Sequence, residues 1–169
     1  MCKMTLMKPL ILFFLLLTLQ SCATARPALQ HGFKADGTPV YLSDPVQIPD
    51  EIKKFYSKRD LSTEEGKIDY LIYRVQDSDL TFLRNREKYD GAAAAEFLRW
   101  KLPRHKNNYH VKVDTAEDFV SKIASESRMS GKPYAVIDSQ GGRHHLQDVL
   151  QNELNLLNDQ LKHLDISKQ

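Results

Sequence analysis

DLTFLRNREKYDG, residues 79–91, is the stretch on which the fold turns. Thr81, Phe82, Leu83 and Tyr89 favour extended backbone, and Asn85 tolerates the left-handed conformation that a reversal needs. The spacing predicts two short strands joined at Asn85-Arg86. Asp90 then stands ready to cap GAAAAEFLRWKL, where Ala94, Phe97, Leu98 and Lys101 share one face. That helix is expected to stop at Pro103, which has no N–H to continue the ladder. A hairpin running straight into a helix points to an α+β fold.

Upstream, STEE (62–65) has the form of a capping box with Ser62 at the N-cap and Glu65 three residues on. Ile68, Leu71, Ile72 and Val75 follow at helical spacing and make one apolar stripe. Downstream, PRHKNNYH (103–110) reads as a polar loop. Thr115 opens another helix with Asp118 at the capping-box position, and Phe119, Ile123 and Ser127 face inward. Ser130-Gly131 is expected to end it. KPYAVID (132–138) reads as a strand, Gly141-Gly142 as a turn, and a last helix runs from about His145 to Leu164. The expected fold is therefore α+β, with about four helices and a small antiparallel sheet. The sheet combines the hairpin near 80–89 with a strand near 132–138.

The first 21 residues read as a leader. Lys3 and Lys8 precede an apolar run, LILFFLLL (10–17), too short for the roughly 20 residues of a spanning helix. Removing 1–21 takes both lysines and no acid, leaving 22 residues of each sign and a net charge of zero. A balanced chain argues against nucleic acid as a partner, since that binding runs on excess Lys and Arg. Cys2 departs with the leader, so neither an intramolecular disulfide nor a cysteine-held metal site is available, and no cofactor is indicated.

Two peptidases can claim LQSCATA (19–25). Leu19, Ser21 and Cys22 resemble the site at which lipoproteins are cut and lipidated on the cysteine. Ala23-Thr24-Ala25 offers the ordinary A-x-A site, with release of a soluble periplasmic form after Ala25. A lone thiol in an exported chain favours lipidation of Cys22. Ala23 beside it, by resemblance to enteric lipoproteins, implies the outer membrane with the domain facing the periplasm. Residues 22–61, polar and broken by Pro27, Pro39, Pro45 and Pro49, then read as a tether. Within it, FKADGTPVYL (33–42) has a hairpin signal at Asp36-Gly37. The compact domain is expected over 62–152 and an amphipathic helical extension over 153–169.

Few residues suggest chemistry. SGKPY (130–134) fails as a phosphate loop, because Glu126 stands where the upstream glycine belongs and Pro133 follows the lysine. No G-x-S-x-G elbow is present. His144 and His145 are adjacent, so they point about 100° apart on a helix and do not form a chelating pair. One cluster stands out: Arg84 and Asn85 at the hairpin tip, with Arg128, Ser130, Lys132 and Tyr134 around the later turn. Converging, they would make an anion or carboxylate-binding patch. The competing reading has Arg84 satisfying helix C-terminal carbonyls or pairing with Glu117 or Asp118. Trp100 and Tyr89 read first as packing residues. Leu150, Leu154, Leu157, Leu161 and Leu164 repeat at heptad spacing, either as a helix packed on its own domain or as a homodimer seam.

TFLRN followed by Tyr89, TAEDFV (115–120) and SGKPY occur in an order that resembles a family of small uncharacterised exported bacterial proteins, over about residues 64–152. The family usually has Gly after Arg-Asn. Arg86 stands there in this chain, which suggests a longer turn than two residues. The resemblance implies an exported α+β domain and supplies no activity. The resulting expectation is a cell-envelope lipoprotein with a non-catalytic binding or assembly role toward an unidentified envelope protein or ligand. A small periplasmic enzyme around Arg84, Ser130 and Lys132, or a structural dimer, are the alternatives.

Overall fold

The computed structural model describes residues 27–166, with side chains to residue 163. The expected leader, Cys22 and the cut after Ala25 lie outside the described residues. In chain order the elements are β1 (Leu29–Gln30), α1 (Ile48–Tyr56), α2 (Glu64–Gln76), β2 (Thr81–Arg84), β3 (Glu87–Tyr89) and α3 (Gly91–Asn108). Then come α4 (Ala116–Asp118), which continues as a π-helix over Phe119–Ile123, β4 (Ala135–Ile137), β5 (Arg143–His145) and α5 (Leu146–Ile166). The α+β class is as expected, with one helix more and a larger sheet.

The hairpin forms where the sequence places it, with Phe82 opposite Tyr89 and Arg84 opposite Glu87. Its turn is tighter than the Arg86 residue suggests. Asn85 (φ 52°) and Arg86 (φ 78°) both take positive φ, the two-residue geometry that matches strand twist. The full sheet runs β1-β5-β4-β2-β3. It is mixed, since β1 lies parallel to β5 while the other pairs are antiparallel. β5 is Arg-His-His, a sequence with no strand signature, held because β4 offers it a free edge.

Residues 29–61 are part of the fold, which corrects the tether reading. Val40, Leu42, Ile48, Ile52 and Leu61 are buried in the same core as the α2 stripe Ile68, Leu71, Ile72 and Val75. Pro49 sits in the first turn of α1, where a missing N–H is tolerated, so it opens a helix and does not break one. Asp50 and Glu51 in that first turn and Lys53 and Lys54 in the last suit the helix dipole. The 33–42 hairpin docks: Asn152 Nδ2 donates to the carbonyls of Gly32 and Val40 at 2.8 and 3.1 Å.

Several helix ends also move. The α2 cap is Thr63, whose Oγ1 accepts from Gly66 N at 3.0 Å, while Ser62 donates to Asp60. Glu64 reaches across to Ala116 N at 2.8 Å and joins the starts of α2 and α4. Helix α3 passes Pro103 and ends at Asn108, so residues 103–108 are helix and not loop. Pro103 is exposed and forfeits one bond, but His105 beyond it is buried and its carbonyl accepts from Val111 N at 3.0 Å. The Thr115 cap forms, with Asp118 N donating to Oγ1 at 3.1 Å. That helix ends at Ile123 in a wide turn, Ala124 N bonding to Phe119 O, well before Ser130-Gly131.

Leu150, Leu154 and Leu157 are fully buried against this chain's own core, and Leu161 is partly buried against it. The heptad seam is used within the domain, so these leucines are not free to face a second copy. The segment from 153 begins inside the core and is not an extension of it. Glu153 is buried too, and its carboxylate is held by Arg74 of α2 and by Leu42 N at 2.7 Å.

Candidate functional site

The hairpin tip, α3 and the turn after the π-helix meet in one region. Asp90 caps α3 by accepting from Ala93 N at 2.8 Å. Gly91 lets the helix start close against α2, because a Cβ there would strike the carbonyl oxygens of Val75 and Ser78. The small residues Ala94 and Ala95 face the core, and the larger Phe97, Trp100, Lys101, Arg104 and His105 follow along the next turns. At 1.5 Å per residue this row is roughly 12 Å long.

Three arginines from three different elements cover three aromatic rings in this region. Arg84, from the end of β2, lies 4.0 Å over Phe97. Arg104 lies 4.4 Å over Trp100, and Arg128 lies 3.9 Å over Tyr109. The rings fall into two groups: Phe97 is 5.7 Å from Trp100 and 5.8 Å edge-on to Tyr134, and separately His105 is 5.5 Å edge-on to Tyr109. Trp100 is 52% exposed, Tyr109 48% and Met129 99%, so the outer part of this set is an open surface. Stacking on a ring holds a guanidinium plane; Arg84 Nε is buried without a hydrogen-bond partner, while Arg104 and Arg128 are exposed and can present edge N–H groups to a ligand.

Beneath this surface lies a buried cation. Lys101, 3% exposed, donates to the carbonyls of Ile123 and Glu126 at 2.5 and 2.7 Å and stands 4.7 Å over the Tyr134 ring. It closes the C-terminal end of the π-helix, where carbonyls lack helical partners. Burial pulls the ammonium down to about 8; Glu126 opposes this and Arg84 adds to it. Burial also pushes the Tyr134 hydroxyl up to about 12, against the charge of Arg84. His105 is held below its ordinary value by burial, then by the charges of Lys101 and Arg128.

The six residues of the expected patch are distributed as follows. Arg84, Asn85, Ser130 and Tyr134 come together, with Ser130 Oγ donating to Asn85 Oδ1 at 2.7 Å. Arg128 is drawn to Tyr109 on the other flank. The Lys132 side chain is exposed, and only its backbone N–H turns toward Ser130, at 3.4 Å. They border one surface and do not aim at one point. Arg84 does not pair with Asp118, whose carboxylate is bound by Lys122, and the helix carbonyls are served by Lys101. Sequence reasoning missed Arg104, Tyr109 and Met129, and read Trp100 as packing. Only Trp100 and Arg104, at i, i+4 spacing, left a local signal; Tyr109 and Arg128 lie far apart in the sequence and left none.

A separate concavity of about 630 Å³ lies between the 34–47 segment, the end of α2 and the β4–β5 turn. Asp44, Glu51, Asp77, Asp79 and Asp138 line it with Arg74. Several of these carboxylates serve the fold: Asp44 accepts from Val46 N, Glu51 from the Tyr73 hydroxyl, and Asp138 bonds His144 and Gly142 N. Burial raises the Asp138 carboxyl, but bonds from His144 and the Gly142 and Gln140 amides leave it below the ordinary range. Among the described residues no group of three or more His, Cys, Asp or Glu is placed to hold a metal ion, and no helix is long and apolar enough to cross a membrane.

Residues 62–158, which run from α2 into α5 and include every residue of this surface, match the model of DUF5329, a family of unknown function. The chain belongs to this family. A DUF5329 chain is also similar to a known protein here: an uncharacterised protein, YfeK, of Salmonella typhimurium is 40% identical over 72 residues. The match covers 42% of this chain and 57% of that relative, so it spans a little over half the relative's length. No solved structure matches. The family model begins at residue 62, so β1, the docked hairpin and α1 lie outside it although they complete the core.

Proposed function

We propose that this chain is a lipid-anchored protein of the cell envelope, attached through Cys22 to the outer membrane with its domain facing the periplasm. We further propose that it acts as a non-catalytic binding or assembly module through the arginine–aromatic face. The observation that carries the binding role is the exposure of Trp100, Tyr109 and Met129 beside Arg104 and Arg128. Exposed aromatic side chains are costly to leave in water, and aromatic residues and arginine are enriched where proteins meet partners. The observation behind the anchor is LQSCATA, with Cys22 the lone cysteine after the leader.

Fractionation of cells expressing the chain and its Cys22→Ser variant tests the anchor. After a high-salt wash that screens surface charge, the native protein should remain with outer-membrane material on a density gradient and the variant should be released. Equal fractionation of the two, or a soluble native protein beginning at Arg26, would refute it. In-cell crosslinking from position 104 or 128 should trap a partner that is lost on substitution at Trp100. Trapping that is indifferent to Trp100 would refute the role of the face.

A further inference from the structure

We propose that the arginine–aromatic face docks on the phosphate headgroups of an anionic lipid surface, the same membrane that holds the chain through Cys22. The inference rests on the lipid-anchored reading above and adds the chemistry of the partner.

Three observations favour this occupant. First, the chemistry of the face is matched to an interface between water and lipid. Trp100 and Tyr109 are amphipathic rings of the kind that settle at headgroup depth, and Met129 is an almost fully exposed apolar side chain. Second, the ring faces are covered by Arg84, Arg104 and Arg128. Each arginine takes one face of its ring, and guanidinium edges fit phosphate oxygens in pairs. Glu87, Glu96 and Glu126 border the region, against three arginines and the exposed Lys132, and the mature chain as a whole is neutral. Third, the anchor segment is short. The first strand among the described residues begins at Leu29, and the seven peptide steps from Cys22 to it reach at most about 25 Å. β1 lies three strand positions from β2, roughly 14 Å across the sheet. That reach holds the domain against its membrane and lets the face beside β2 meet it. A 40-residue tether would have imposed no such closeness.

The test exploits Trp100, the single tryptophan of the chain, whose emission therefore reports on this face alone. The exported Cys22→Ser protein, free of lipid, is mixed with vesicles of phosphatidylcholine containing about one third phosphatidylglycerol and, separately, with pure phosphatidylcholine. The expected result is a blue shift of the emission and co-sedimentation with the anionic vesicles, weakened by added salt. Each arginine near an anionic leaflet is worth roughly fivefold in partitioning. The triple variant Arg84→Gln, Arg104→Gln, Arg128→Gln should thus lose binding on the order of 100-fold, and Arg104→Gln alone, on the exposed side of α3, tests the point should the triple variant fold poorly. Equal partitioning on the two vesicle types, an unmoved emission maximum, or undiminished affinity in Arg104→Gln overturns the proposal. A shift with a soluble acidic polysaccharide and none with vesicles overturns the lipid partner while leaving the binding face standing. Failure of Cys22→Ser to release the protein from salt-washed membranes would instead remove the anchor reading on which the inference rests.

Discussion

Arg74 Nε stands 3.1 Å from Glu153 Oε2, and both side chains are sealed from water, at 2% and 0% exposure. The pair is held from three sides. Arg74 also donates to Ser43 Oγ at 2.6 Å, Leu42 N donates to Glu153 at 2.7 Å, and Ser78 Oγ donates to Leu42 O at 2.7 Å. Removing one partner strands a buried charge, at a cost of about 3–5 kcal/mol, whereas an apolar pair of similar volume is often neutral. Urea denaturation should therefore show Arg74→Met and Glu153→Leu each strongly destabilised and the double variant substantially recovered. Additive losses would refute this account of the pair.

Lys101 gives stability a rise in mild alkali. Unfolded, the side chain keeps its proton to its ordinary value of 10.5; folded, it releases it near 8. Between these values the unfolded chain binds more protons, so this term raises stability as pH increases and is lost as pH falls through 8. The full span is worth about 3 kcal/mol. Above pH 10 the raised Tyr134, pushed up to about 12, acts in the opposite direction. The gap between the native chain and Lys101→Met, followed by urea unfolding from pH 7 to pH 10, should shift in favour of the native chain. Parallel curves would show that Lys101 is not held as described.

The Asn85-Arg86 turn carries a removable strain. Arg86 at φ 78° occupies the left-handed region that side chains with a Cβ resist. Arg86→Gly should raise stability by about 0.5–1 kcal/mol, part of the relief being offset by greater freedom in the unfolded chain. Asn85 is the wrong residue to exchange, since its side chain receives Ser130. Thermal unfolding of the two variants should move in opposite directions.

The amino-terminal third is structural. Ile52 is buried at 1% exposure, and Ile52→Ala should cost about 2–5 kcal/mol, as for other core truncations. A chain beginning at Ser62 should fail to show a cooperative transition. Ending the chain after Asn155 removes Leu157, fully buried, and should destabilise the domain rather than trim an appendage. Cooperative, undiminished unfolding of either truncation would restore a tether-and-extension view.

What was legible in the sequence is what local chemistry dictates. The hairpin, the Asp90 and Thr115 caps and the Ile68–Val75 stripe each depend on residues within a turn or two of one another. The misses share one cause, tertiary context overriding local signal. Ile48 and Ile52 make a stripe of only two, in a segment that four prolines label as irregular; Pro49 happens to fall where a helix accepts it. β5 is polar and becomes a strand because β4 needs a partner. α3 continues past Pro103 because His105 is worth burying. For the site, residue types were readable but grouping was not. Arg84 and Arg128 were visible as cations, yet the rings beneath them come from elsewhere in the chain, and only the fold brings guanidinium and ring together.

The parallel pairing of β1 with β5 has a mechanical reading. Leu29 and Gln30 are joined to Arg143 and His144, and Arg143 Nη1 donates to Pro27 O at 3.3 Å. Any pull on the chain ahead of Pro27 loads this two-residue seam first. The next resistance is His31, bonded to Asp148 at 3.1 Å, then Asn152, which grips the Gly32 and Val40 carbonyls, and behind it the sealed Arg74–Glu153 pair. Yielding in that order would release slack from residues 29–39 while Leu42 and everything after it stayed folded. Under such a pull the amino-terminal edge would give up a few backbone bonds before force reached the core.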